Sequence, residues 1–354
     1  MNCCINCFSD PDIKEIIEKL GAVGNCDYCE AKSIFIYSIK NDRTISDMLT
    51  ELLAIFDVSD NFSPSYPADR IFSIADMLIQ ELRIFNCEAG IAIDLLKTLC
   101  EGTYNDNPKL FRVPVGVAAL NDNTFLKDNV LLGGYTWEQF VETIKHQNRF
   151  FSNIFNIDVL QRFFPFITRK IASGTTFFRA RISQSSAGYS NPTDMKAPPK
   201  NLAAAGRINS TGEPCLYLAD SVKTTLHEVR AGIYDFVSVG EFVLREDIDI
   251  INLTAIDSIS PFRRMDQLEY AANIRDLSKI ATELSKPLRR FDSQLDYLPT
   301  QFVCDYIKSC GYKGIEYPST MHKDGVNLAV FDESLFEIKS IETYEIQFLD
   351  YAYK

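Results

Sequence analysis

The hydrophobic pattern of this chain changes kind once along its length. From residue 44 to residue 164 apolar residues recur at helical spacing. "TISDMLTELLAIF", for example, sets Ile45, Met48, Leu49, Leu52, Leu53 and Phe56 on one face. The apolar-periodic stretch from 71 to 100 and "TWEQFVETIKHQNRFF", with Thr136 and Gln139 in capping-box spacing, extend the pattern to four or five helices with little strand signal. Pro165 reads as a helix stop. Beyond it come short β-branched and aromatic runs: "GTTFFRARIS", "CLYLA", "YDFVSVGEFVL", "IDIINLT", "GIEYP" and "NLAVFD". Helical stretches separate them over residues 222–231, "QLEYAANIRDLSKIATELS" and "TQFVCDYIKSCG". Helices followed by mixed strands and helices predict an α+β chain of two architectures. A connection rich in Gly, Pro, Ser and Asn runs from 183 to 214. It is longer than a strand link needs, which marks it as a functional loop.

Composition narrows the function classes. At 354 residues and 46% hydrophobic content the chain has material for two packed cores. The formal net charge of −12 opposes general nucleic-acid binding, though it leaves room for a local basic pocket. No apolar run approaches a membrane span, and the N-terminus has no basic, apolar leader. The expectation is therefore a cytoplasmic protein without membrane partners. No G-x-G-x-x-G follows a strand, and G-K-[ST] and G-x-S-x-G are both missing from the sequence. With only three histidines, a histidine-rich metal centre is disfavoured.

Five of the ten cysteines fall within the first 29 residues. Cys4, Cys7, Cys26 and Cys29 form C-x2-C-x18-C-x2-C, the spacing of a four-thiolate zinc site, and a site with four protein ligands is structural. Cys3 is a spare thiol able to compete for ligation. Cys87, Cys100, Cys215, Cys304 and Cys310 stand in apolar surroundings and read as core residues.

In the second half, polar residues gather at element ends. Arg179 and Arg181 alternate on one strand and so share a face. They form either a solvated surface or a fork for a diphosphate. Arg207 lies in the turn "GRINSTG", and Tyr217 is mid-strand in "CLYLA". Thr224 and Glu228 share a helix face while Leu226, Val229 and Ile233 cover the core side, which leaves Glu228 to face solvent or a cleft. His227 reads as a packing neighbour and not as a general base.

Three blocks, "FFRARIS", "GRINSTGEPCLYLADSVKTTLHEVR" and "TQFVCDYIKSCGYKGIEYPSTMHKDGVNLAVFD", resemble the RES domain in order and content, over roughly residues 165–340. The resemblance implies a fold related to ADP-ribosyltransferase toxins, with a split, curved sheet gripping NAD and flanking helices. It implies cleavage of the nicotinamide–ribose bond, by hydrolysis, phosphorolysis or ADP-ribosyl transfer, in an NAD-depleting toxin or defence effector with a cognate antitoxin. On that mapping Arg179, Glu228 and Ser319 are catalytic. Arg179, Arg181, Arg207, Asn209 and Tyr217 bind NAD. Glu228 would hold the ribose hydroxyls and oppose the developing oxocarbenium, and the arginines would clamp the diphosphate. On turn chemistry alone Ser319 reads equally well as an ordinary turn serine.

The helical half resembles the HEPN-like domain that precedes some RES domains. Ribonuclease members of that group carry an arginine four to six residues before a histidine, and "KHQNRFF" has the order reversed, so no ribonuclease activity is expected. The expected organisation is a zinc knuckle at 1–43, a helical domain at 44–164 and the NAD-cleaving domain at 165–354, with a homodimer compatible with it. The alternative function is a non-catalytic module that senses NAD or ADP-ribose, or docks a partner.

Overall fold

The computed structural model describes residues 1–150, 152–263, 265–287 and 293–349, so Phe151 of the expected helical run and the last five residues of the expected C-terminal domain lie outside the described residues. Two compact units are present. The first comprises Met1–Trp137, Asn153–Gln161 and Asp257–Ser278, and the second Glu138–Ser152, Arg162–Ile256 and Lys279–Lys354. This division differs from the expected one in three ways. Residues 1–43 share a unit with the helices that follow, Glu138–Ser152 falls in the second unit, and Asp257–Ser278 returns to the first after the first strands of the other.

In the first unit, β1 (Asn2–Cys4), β2 (Val23–Gly24) and β3 (Ile34–Ser38) form an antiparallel sheet in the order β1-β3-β2. The helix Pro11–Leu20 starts because the Asp10 carboxylate accepts from the Asp12 and Ile13 amides. It stops at Gly21, whose φ of 66° only glycine adopts without strain. Phe8, Ile13, Ile17, Tyr37, Ile45, Leu49 and Leu52 are fully buried, so the N-terminal segment has no core separate from that of the helices. The long helix suggested by residues 71–100 is divided. Helical turns end at Glu81, Arg83 takes φ 54°, and a new helix runs Ala89–Leu99. The break lets Ile84 accept from the Ser9 amide and sets Phe85 against Phe8, so tertiary burial overrides local periodicity. A two-stranded pair, β4 (Phe56–Val58) with β5 (Val115–Val117), is also present; runs of three residues carry no readable alternation. The helix Gln267–Ser285 supplies the reason its first part belongs here. Arg70 Nη2 holds both Asp276 oxygens at 2.8 Å, and Asn273 accepts from Leu131 N and donates to Asn129 O.

The second unit is built on eight strands: β6 (Thr168–Ile171), β7 (Thr176–Ser183), β8 (Leu216–Ala219), β9 (Phe236–Leu244), β10 (Ile248–Asn252), β11 (Gly314–Pro318), β12 (Val326–Val330) and β13 (Phe336–Glu345). Their order is β13-β9-β7-β8-β12-β11-β10-β6, and only β10 and β11 run parallel. β6 and β13 were not foreseen. β6 follows directly on the helix Ile157–Ile167, which contains Pro165 instead of stopping at it; Thr168 Oγ1 donates to Phe164 O where the helix ends. β13 is an edge strand whose charged alternation, "FEIKSIETYE", carries little apolar signal. Phe177, Leu216, Leu218, Phe242, Leu328 and Val330 form the main core. Phe178, Ala180, Val237 and Val239 pack with Leu226 of the helix Val222–Glu228 and with Val229 just past its end. Ile233, expected on that buried side, is 46% exposed because the helix ends before it. Cys100, Cys215 and Cys304 are buried as expected, whereas Cys87 is half-buried and Cys310 is exposed just past a helix end.

Candidate active site

The sheet of the second unit is split between β7 and β8. β7 pairs with β9 over eight positions from Thr176↔Val243 to Ser183↔Phe236, yet it meets β8 in register only at Phe178↔Ala219. Backbone groups at the parting are taken by side chains. The Ala180 amide donates to Thr225 Oγ1 at 2.8 Å, and Arg179 Nη1 donates to Tyr217 O at 3.1 Å. Buried peptide groups need partners, so these two contacts allow the strands to diverge without leaving backbone groups unsatisfied. A cleft of about 600 Å³ opens there, lined by Arg179, Arg207, Asn209, Tyr217, Glu228, Arg230, Tyr317 and Asn327 among others.

Arg179 is the electrostatic peculiarity of this cleft. Its Nε is buried with no hydrogen-bond partner, and among the described residues no carboxylate pairs with it. Burial, aided by the nearby Arg181 charge, holds its guanidinium below the usual range. A withdrawn cation without a counter-ion is costly, and an anionic ligand in the cleft relieves that cost.

Glu228 is the last residue of its helix. Its Oε1 accepts from Ser319 Oγ at 2.6 Å and from Asn327 Nδ2 at 2.8 Å. Ser319 in turn accepts from the Met321 and His322 amides, which folds residues 319–322 into a tight turn. Ser319 therefore touches Glu228 and is not among the residues lining the cleft. The turn is closed by Gly325, where a Cβ would lie 2.7 Å from Thr224 Oγ1 and 2.8 Å from His322 Nδ1. His227 and His322 stack at 5.1 Å between ring centroids, and burial followed by the His322 charge lowers the His227 pKa.

Other expected ligands take up structural contacts. Asn209 Nδ2 donates to Ala204, Ser210 and Glu213 carbonyls, and its Oδ1 accepts from the Tyr217 hydroxyl at 2.6 Å. It thus organises the loop that bears Arg207. Gly206 lies tight against this pair, where a Cβ would approach both Asn209 Oδ1 and the Tyr217 hydroxyl to 3.1 Å. Arg207 lines the cleft while its Nε donates to Lys286 O and its guanidinium lies over Tyr297. Arg181 is exposed, rests over Tyr189, donates to Asp194 O and does not line the cleft, although it shares a strand face with Arg179. Tyr217 and Tyr317 lie on the floor with pKa values raised by burial, so both remain neutral phenols. Tyr317 and Asn327 were missed by the sequence reading. Both stand within its third block, but neither has a spacing that announces a role.

Separately, in the first unit, the thiols of Cys4, Cys7, Cys26 and Cys29 all lie within 4.8 Å of one another. Contacts of 3.8 Å (Cys4–Cys7), 3.4 Å (Cys4–Cys29) and 3.6 Å (Cys7–Cys26) approach the roughly 3.8 Å edge of a tetrahedron with zinc–sulfur bonds of about 2.3 Å. The Tyr28 and Cys29 amides both point at Cys26 Sγ from 3.4 Å, donors suited to a thiolate. The donor set fits zinc. Cys3 is not part of the cluster; its sulfur faces Tyr37 O.

No curated protein sequence matches the chain. Among solved structures, a chain of the M. tuberculosis MbcT–MbcA toxin–antitoxin complex is similar to it at 16% identity. That match spans 53% of this chain and 93% of the other, with a TM-score of 0.30. The family comparison reaches the cleft itself: residues 176–350, which include β7, β8, β11 and β12 around it, match the RES domain, and the chain therefore carries a RES domain.

Proposed function

We propose that the split-sheet cleft binds NAD and breaks its nicotinamide–ribose bond. The observation that carries this reading is the half-buried Arg179 side chain, whose buried Nε has no hydrogen-bond partner among the described residues, in the same cleft as a carboxylate oriented by two donors. A diphosphate supplies the anion that Arg179 lacks. Glu228 then stands as the negative group for a ribose that becomes cationic. In the reaction the C1′–N1 bond breaks heterolytically, and the electron pair leaves on the nicotinamide nitrogen and neutralises its charge. A lone pair of the acceptor oxygen forms the new C–O bond, and the acceptor's proton passes to solvent. Glu228 opposes the positive charge that peaks between these events. Water, a macromolecular hydroxyl and hydrogen phosphate each give up that proton, whereas an ionised carboxylate has none to lose and closes the balance without it.

The RES domain supports an NAD-depleting toxin or defence effector held in check by a cognate antitoxin. The four-thiol cluster would hold a structural zinc, with Cys4, Cys7, Cys26 and Cys29 as its ligands.

Mixing the full chain with NAD in phosphate-free buffer, then with phosphate, tests the reaction. Release of free nicotinamide is expected, and the mass of the ribosyl product identifies the acceptor. Bound NAD with no nicotinamide released would leave the sensing module as the better reading. In the same assay Arg179→Ala is expected to weaken NAD binding by about 10- to 100-fold, the equivalent of losing one or two charge-assisted contacts. Unchanged affinity by calorimetry would remove Arg179 from the diphosphate site.

A further inference from the structure

Asn327 is a buried amide in the middle of a sheet, a position where an aliphatic side chain would pack with no polar atom to satisfy. As the second residue of β12 it is flanked in register by Ala219, the last residue of β8, and by Tyr317 of β11, and it lines the cleft. Its Nδ2 reaches Glu228 Oε1 at 2.8 Å. Ser319 Oγ reaches the same oxygen at 2.6 Å, and its own acceptor capacity faces the Met321 and His322 amides, so its one proton is directed at Glu228. Both partners of Oε1 are therefore donors, which leaves Oε2 as the oxygen available to a substrate.

We infer that Asn327 is a positioning residue for the NAD reaction, holding the Glu228 carboxylate in a fixed orientation together with Ser319. This rests on the reading of Glu228 given above. It separates two tasks in one carboxylate: Oε1 is the anchored oxygen, and Oε2 is the one presented to the ribose. The role differs from simple strand packing in a way pH can expose. An aspartate at position 327 would set a second carboxylate against the first at hydrogen-bond distance, and two such groups share a proton instead of both ionising.

The experiment compares nicotinamide release, as kcat and KM for NAD across pH, for the full chain and for Asn327→Ala, Asn327→Asp and Glu228→Gln, with a thermal melt of each. For Asn327→Ala we expect kcat lower by about 10- to 100-fold with KM changed only a few-fold, the size of one lost hydrogen bond to a charged group. For Asn327→Asp we expect the acid limb of kcat to move upward by about one pH unit or more. Asn327→Ala adds no charge and carries the test by itself if the aspartate variant does not fold. Wild-type kcat in Asn327→Ala alongside an impaired Glu228→Gln would overturn the inference while leaving the Glu228 reading intact. So would an aspartate variant with an unmoved profile. Full activity in Glu228→Gln would overturn that reading itself, and the inference with it.

Discussion

Replacing Glu228 by glutamine is expected to lower the turnover of NAD by about 10²- to 10³-fold, the range seen when one preorganised electrostatic stabiliser is removed. NAD affinity should change far less. The expectation follows from the hydrogen bonds already made. Ser319 and Asn327 both donate to one oxygen, so a glutamine at this position would turn its carbonyl towards them and its amide group towards the cleft. The side chain would keep its shape and anchor. It would lose the negative charge and the acceptor on the side the ribose approaches. A charge that acts on the oxocarbenium appears in kcat and hardly in ground-state binding, whereas a carboxylate that chiefly grips the ribose hydroxyls would lower both together. Single-turnover nicotinamide release combined with calorimetric binding separates the two outcomes. A glutamine variant as fast as the parent would remove Glu228 from the reaction.

The parts of this site legible in the sequence are those that depend on local pattern. The strands "FFRARIS" and "CLYLA" and the helix carrying Glu228 announce themselves by composition and period, and they place Arg179, Tyr217 and Glu228 close to a common edge. The parting of β7 from β8 was expected only through family resemblance; the side chains that hold it open carry no sequence signature. Thr225 and Arg179 take up backbone groups on strands some forty residues apart in sequence. Arg181 shows the limit of alternation as evidence. It shares a face with Arg179, but two residues along the strand the cleft has ended, and Tyr189 and Asp194 receive the guanidinium instead. Asn327 sits in "VNLAV", which reads as ordinary strand, and its contact with Glu228 spans 99 residues of sequence. Domain limits were less legible again. The helix Gln267–Ser285 is continuous in pattern, yet its first part belongs to the N-terminal unit, where it makes long-range contacts such as Arg70–Asp276.

The second large effect is expected at the N-terminal cysteines. Protein purified without chelator should contain one zinc per chain, and Cys4→Ser or Cys7→Ser should lose it, whereas Cys3→Ser should retain it although Cys3 adjoins Cys4. The distinction is geometric. Neighbouring residues on β1 point to opposite sides, so Cys4 enters the cluster and Cys3 faces Tyr37. Zinc binding by four thiols releases protons, so affinity should fall as pH is lowered. The energetic stake is large for a short segment. Structural zinc contributes apparent free energies of about 10–16 kcal/mol in isolated zinc-finger peptides, where metal and fold are inseparable. Here the segment also buries Phe8, Ile13, Ile17 and Tyr37, so metal loss should loosen the N-terminal sheet without unfolding the rest of its unit. Hydrogen exchange reads that difference: the amides paired between β1 and β3 should lose protection on chelation, while those of the helix Ala89–Leu99 retain theirs. Equal zinc content in Cys4→Ser and the parent chain, or no metal in either, would reduce the cluster to four buried thiols.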